Sequence, residues 1–175
     1  NFIDADGAFL DMRLIKSSEE IKRIKKSTEV AEKAIQNCMN ATELNVLDTE
    51  LLKVARRTIV DEGAWGWDHL TMNVGPSDPE APGLGIPVTP NDIVRFDIGA
   101  VWEGYISDVS RGVVIGEVPK KAKEAMKIMI QRQEFCVDKI KPGVKAQTVS
   151  KEAYTYLKSL SKRGFYLITG HSIGL

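Results

Sequence analysis

The sequence predicts an α+β domain in which helices cover one face of an antiparallel sheet, and three observations carry that prediction. Apolar residues recur at helical spacing in two pairs of segments, one near the start of the 175-residue chain and one after residue 118. Between the pairs, IVRFDIG alternates with period two and runs through AVWEGYISD into VSRGVV, the pattern of a hairpin. After the second pair, the β-rich run FYLIT (165–169) marks a further strand.

Residues 1–12, NFIDADGAFLDM, carry no clear period and read as a linker or the tail of a preceding domain, leaving 13–175 as one domain. Ser17 and Glu20 form a capping box, and Ile21, Ile24, Thr28, Ala31, Ile35 and Cys38 follow at helical spacing. A helix is therefore expected over 18–39 with its lysine-rich side in water. A second helix, over 43–62, is expected to bury Leu44, Leu47, Leu51, Val54, Ala55 and Ile59 and to stop at Gly63. The segment AWGWDHLTMNVGPSDPEAPGLGIPVTPND holds two of the three tryptophans and most of the prolines; it reads as a strand at 70–74 opening into a long loop. Trp65 and Trp67 are expected in core or lid packing, with pocket lining as the alternative. A third helix over 120–139 should bury Ala122, Met126, Met129, Ile130 and Val137 before KPGV breaks it. A fourth, over 146–161, carries Val149, Ala153, Tyr156, Leu157 and Leu160, and Gly164 ends it.

Composition excludes several function classes. Twenty-four basic and 24 acidic residues give zero formal charge, so there is no electrostatic footprint for nucleic acid or an anionic membrane. KRIKK at 22–26 is too short for a binding patch and reads as a solvated helix face. No apolar run reaches the length of a membrane span and no signal peptide opens the chain, so a cytoplasmic setting is expected. Cys38 and Cys136 lack metal-ligand spacing and fall in helical apolar patterns, as small buried hydrophobes do.

The chemistry concentrates in two places. If the hairpin turn is centred on Trp102 and Glu103, Asp97 lies directly opposite Asp108, on one face and with Cβ atoms about 4.5–5.5 Å apart. Two carboxylates that close can hold metal ions spaced by about 3.5–4 Å, and without a cation between them they repel. From spacing alone, a hairpin with two solvated aspartates reads equally well. The second place is TGHSIGL, where His171 lies between two glycines that let the backbone turn beside a ligand. Imidazole with carboxylates suits Mn, Fe, Co or Zn. A single histidine in such a turn is, by itself, more often structural.

Taken together, DIGAVWEGYISDVSRGVVIG and GHSIGL resemble the pita-bread metallopeptidases, the family of methionine aminopeptidase, Xaa-Pro aminopeptidase, prolidase and creatinase. The opening RLIKSSEEIKRIKKSTEVAEKAI is similar to the start of the catalytic domain in the prolidase and Xaa-Pro aminopeptidase branch. The resemblance implies a pita-bread fold, with its first half and part of its second half within 13–175, and two divalent metal ions (Mn, Co, Zn or Fe). It implies Asp97, Asp108 and His171 as metal ligands, with two further glutamate ligands expected past Leu175. Asp97 would bridge or chelate one metal, Asp108 bridge both and His171 hold the other. It also implies a homodimer acting on short proline-containing peptides. Two departures stand out. The family's substrate-contacting histidine has no counterpart in Val74–Val88. His69, in WDHLTMN, is the candidate catalytic residue for that place only if the local register is shifted. Ser172 also replaces a usual glycine. Tyr105 and Arg111, by alternation from Asp108, should face away from the metals. The expected function is hydrolysis of a peptide bond next to proline; a non-catalytic peptide- or protein-binding module and a creatinase-like amidinohydrolase are the alternatives.

Overall fold

The computed structural model describes residues 4–78, 80–162 and 169–175. Its elements run α1 (Asp6–Leu14), α2 (Ser18–Ala41), α3 (Asp48–Asp61), β1 (Gly66–Val74), β2 (Ile93–Trp102), β3 (Tyr105–Ile106), β4 (Val109–Val114), α4 (Lys120–Lys139) and α5 (Ala146–Leu160). The chain divides into two compact units: Asn1–Glu117 with Ser172–Leu175, and Val118–His171. Among the described residues, no helix is long and apolar enough to cross a membrane.

In the first unit, α2 starts at the expected capping box. The Ser17 hydroxyl accepts from the Glu20 amide at 3.3 Å, and the Glu20 carboxylate accepts from the Ser17 amide at 2.7 Å. The helix buries Val30, Ala31, Ala34, Ile35 and Cys38, whereas Ile21 stays exposed. Helix α3 begins at Asp48, later than the expected 43, because the residues before it are used otherwise. Asn45 takes a left-handed φ of 68°. The Asn45 amide donates to the Val88 carbonyl and the Val88 amide to the Val46 carbonyl, each at 2.9 Å. Leu44 and Leu47 are consequently exposed, not buried. A helix, α1, also occupies the lead-in where no period is visible.

Strand β2 is central, antiparallel to β1 on one side and to β3 and β4 on the other. Leu70, Met72 and Val74 of β1, Val94, Phe96 and Ile98 of β2, and Val109 of β4 are buried in one cluster with the apolar stripes of α2 and α3. Strand alternation then sends Thr71, Asn73, Arg95, Asp97 and Ser110 to the sheet's other face. Neither Trp65 nor Trp67 is core: both are exposed, with the Arg56 guanidinium 5.3 Å from the Trp67 ring centroid.

In the second unit, Cys136 packs with Val149 and Ala153, and Phe135 stacks on Tyr156 with ring centroids 4.4 Å apart. The stripe of α4 that meets α5 is the one holding Phe135 and Cys136. Met126, Ile130 and Val137, expected in the core, are exposed on another side of the helix, and Met129, on the Cys136 stripe one heptad earlier, is exposed as well. Most of the expected FYLIT strand, 165–168, lies outside the described residues.

Candidate metal centre

The hairpin register differs from the expected one. Trp102 pairs with Tyr105 and Asp97 with Ser110, so the turn is Glu103-Gly104 and Asp97 is not directly opposite Asp108. Glu103 and Gly104 both take positive φ, 48° and 84°, which is what a two-residue hairpin turn requires. A slip of two residues preserves the face, leaving Asp108 diagonal to Asp97. The ladder between β3 and β4 is interrupted at Ser107 and Asp108. There the Ser107 amide donates to the Ala100 carbonyl at 3.1 Å, while the Ala100 amide turns to the Ser107 hydroxyl at 3.2 Å. Buried Ser27 on α2 completes the knot: its hydroxyl donates to the Ala100 carbonyl at 2.6 Å, and the Ser107 hydroxyl donates to the Ser27 carbonyl at 3.2 Å.

Strand β1 brings His69 to the same place. Trp67 pairs with Ala100 and His69 with Gly99, leaving Asp68 as the extra residue of a β-bulge. His69 alternates regularly with Thr71 and Asn73, and the pairs His69 with Gly99 and Thr71 with Asp97 put it on the face of Asp97. His69 Nε2 lies 3.6 Å from Asp97 Oδ1 and 3.5 Å from Asp108 Oδ1, and its Nδ1 lies 3.2 Å from Asp68 Oδ2. Gly99 makes room for the ring, since a Cβ there would stand 2.3 Å from His69 Cε1 and 2.7 Å from the Ser107 carbonyl oxygen. One donor atom from each of His69, Asp97 and Asp108 falls within a common 4.8 Å. The three side chains are 31%, 41% and 28% exposed, open enough to meet a small molecule.

The carboxylates act on the histidine. The adjacent Asp97 carboxylate, with Asp68 and Asp108, holds the His69 imidazole up at a pKa of about 9 despite the opposing effect of its partial burial. Two oxygens nevertheless stay without hydrogen bonds: Asp97 Oδ1 and the hydroxyl of its cross-strand neighbour Thr71, both fully buried. A buried carboxylate oxygen without a donor is costly unless a cation meets it. An O,O,N donor set with such an oxygen fits a divalent metal of the Mn-to-Zn group.

Tyr105 and Arg111 face the helices, as alternation predicts. The Tyr105 hydroxyl donates to Glu20 at 3.4 Å, the Arg23 guanidinium lies 5.6 Å from its ring centroid, and Arg111 lies 3.7 Å from Glu32. His171 is the last residue of the second unit, and Ser172 begins the segment that returns to the first. There Gly174 exchanges two backbone hydrogen bonds of 3.0 Å with Ile106. What sequence reasoning missed is the closeness of His69 to both aspartates; the signals were Gly99, and WDH at the start of a strand.

The profile of metallopeptidase family M24 matches residues 22–175, and the chain belongs to that family. An uncharacterized peptidase of Staphylococcus aureus (strain USA300) is 29% identical over 178 residues, covering 99% of this chain and 50% of the relative. Among solved structures, the Xaa-Pro dipeptidase from Bacillus anthracis superposes with a TM-score of 0.92 at 26% identity, over 99% of this chain and 50% of that one. The prolidase from Pyrococcus horikoshii OT3 gives 0.91 at 27% identity, over 97% and 50%. The X-Pro aminopeptidase from Thermotoga maritima MSB8 gives 0.83 at 26%, over 91% and 46%. The fold is therefore the α+β pita-bread fold, and peptidases of this family depend on divalent metal ions. The chain spans about half the length of these relatives.

Proposed function

We propose that this chain carries the first part of the metal site of a proline-directed peptidase, of the Xaa-Pro dipeptidase or Xaa-Pro aminopeptidase type, acting on short peptides. The observation that carries the reading is the pair Asp97 and Asp108 on one open sheet face, with a buried Asp97 oxygen that no donor among the described residues satisfies. Likeness to prolidases and an Xaa-Pro aminopeptidase supports the proline preference. Asp97 and Asp108 are the carboxylate ligands in this reading, and His171 joins them by family resemblance. The metal ions supply Lewis-acid polarisation of the scissile carbonyl and a lowered pKa for the attacking water. The chain's own contribution is to hold the carboxylates: Asp97 on a central strand, Asp108 beside the Ser107–Ala100–Ser27 knot. The partly exposed side chains leave room for a peptide.

The test is proline release from Xaa-Pro dipeptides and cleavage of Xaa-Pro-Yaa tripeptides by the protein in its native length, loaded with Mn²⁺ or Co²⁺. Metal-dependent turnover is expected. D97N should reduce it by more than the roughly 10–100-fold that loss of a supporting contact to a ligand costs. Peptide binding with no turnover under any metal would replace this reading with the binding module that the histidine-free Val74–Val88 segment favours.

A further inference from the structure

Resting on the metallopeptidase reading, we infer that His69 is a direct metal ligand, forming with Asp97 and Asp108 a one-nitrogen, two-oxygen half-site within the first unit. It is not the substrate-contacting histidine. Three independent features of the fold point this way.

Distance comes first. Nε2 stands 3.6 and 3.5 Å from one oxygen of each aspartate. Those separations exceed the 2.7–3.2 Å range, centred at about 2.9 Å, of a good N–H···O bond. They approach the edge of about 3.4 Å between ligands that bind one tetrahedral ion with bonds of roughly 2.0–2.2 Å. Asp97 Oδ1, the atom nearest Nε2 on that carboxylate, is the one buried without a hydrogen bond.

Orientation is the second feature. Metal-binding histidines typically give their other ring N–H to a carboxylate, which fixes the tautomer and turns the remaining lone pair on the ion. Asp68 Oδ2, 3.2 Å from Nδ1, is placed for that. Asp68 is also the extra residue of the β1 bulge, so it has no cross-strand partner and its carboxylate lies beside the ring.

The third feature is room. Gly99 is the cross-strand partner of His69, and any side chain there would overlap the ring. The space so kept lets Nε2 face both carboxylates at once, as a ligand shared with them must.

The experiment uses the 175-residue chain with ¹⁵N-labelled histidine, Zn²⁺ alone as the probe, and long-range ¹H–¹⁵N correlation spectra. With two histidines in the sequence, an H171A sample assigns both rings. The expected result is a Zn²⁺-dependent move of the His69 Nε2 resonance to its coordinated position, with Nδ1 keeping its proton, and loss of that move in D97N. H69Q should weaken Zn²⁺ binding at least tenfold while leaving the helical circular dichroism unchanged. Zn²⁺ uptake that D97N removes but that leaves the His69 resonances unmoved overturns this inference and spares the metallopeptidase reading. Uptake that is absent, or indifferent to D97N, overturns this inference, and the metallopeptidase reading is then decided by turnover at native length.

Discussion

Gly99 is without a side chain because His69 occupies the space one would fill. Alanine there would place Cβ 2.3 Å from the imidazole and 2.7 Å from the Ser107 carbonyl, so a ring and a backbone segment must both shift. G99A should therefore lower stability by about 1–3 kcal/mol, the usual cost of overpacking. Its His69 ring resonances should differ from those of wild type before any metal is added; unchanged rings and an unchanged urea midpoint would refute the contact. Cys38 offers a second test at this scale. Fully buried, with its thiol donating to the Leu51 carbonyl at 3.4 Å, it is pushed up by burial to a pKa of about 12. Unfolded, it ionises from about pH 8.5, whereas folded it keeps its proton, so this effect is absent below that pH and erodes stability as pH rises toward 12. Between pH 9 and 11, wild type should lose about 1.4 kcal/mol per pH unit more than C38A in urea unfolding. Parallel slopes would show that the thiol ionises in place. Asp97 and Asp108 were legible from the sequence because strand alternation survives a two-residue slip in the turn. The closeness of His69 was not, because it depends on the pairing of β1 with β2 at Gly99, which no local pattern names.

The element that most exceeds its sequence pattern is the connection between β1 and β2. Three side chains fasten it. Asn73 donates to the carbonyls of Asp78 and Ala81 at 2.6 and 2.8 Å, and Arg95 to those of Gly75 and Ser77 at 2.9 and 3.0 Å. The Asp48 carboxylate, buried at the start of α3, accepts from the amides of Leu84, Gly85 and Ile86 at 2.9, 2.8 and 3.1 Å. A proline-rich run reads as a loop from sequence, but its anchors come from distant residues whose partners no local pattern names. D48A should leave three amides without their acceptor and cost about 3 kcal/mol or more. Hydrogen exchange at Leu84–Ile86 should accelerate well beyond that of β2; uniform exchange would mean that the loop is held by something else. Helix α3 teaches the same lesson. Its buried face, Leu51, Ala55 and Ile59, followed from periodicity, whereas its first turn was lost to backbone pairing between 45–47 and 86–88. Helix α4 has the expected ends, yet the residues that meet α5 differ from those chosen by apolar spacing, because apolar residues such as Met126, Ile128, Met129, Ile130 and Val137 fall on several sides of the helix.

At the scale of the molecule, the two units differ in how much apolar surface holds them. In the first, strands β1, β2 and β4 and helices α2 and α3 share one cluster that includes Phe96, Leu51, Ile59 and Met72, all fully buried. In the second, the described core is Cys136, Val149 and Ala153, with Leu157 buried and Phe135 stacked on Tyr156. Helices draw most of their stability from packing an apolar face, and local opening free energy follows the density of such contacts. The clustered aspartates and His69 stand on the better-packed unit, where geometry is held by a central strand and not by a helix pair. Native-state hydrogen exchange should then show amides of α2, α3, β1 and β2 exchanging only through global unfolding, with a denaturant dependence equal to that of the whole transition. Amides of α4 and α5 should exchange at least tenfold faster, through a smaller opening with a shallower denaturant dependence. If α4 and α5 instead merge with β2 at low denaturant, the chain unfolds as one cooperative body and the small second core is not its weak point. If they exchange faster as expected, addition of Zn²⁺ should raise protection in β1 and β2 first, because the ligands His69, Asp97 and Asp108 of the inferred half-site all belong to that unit.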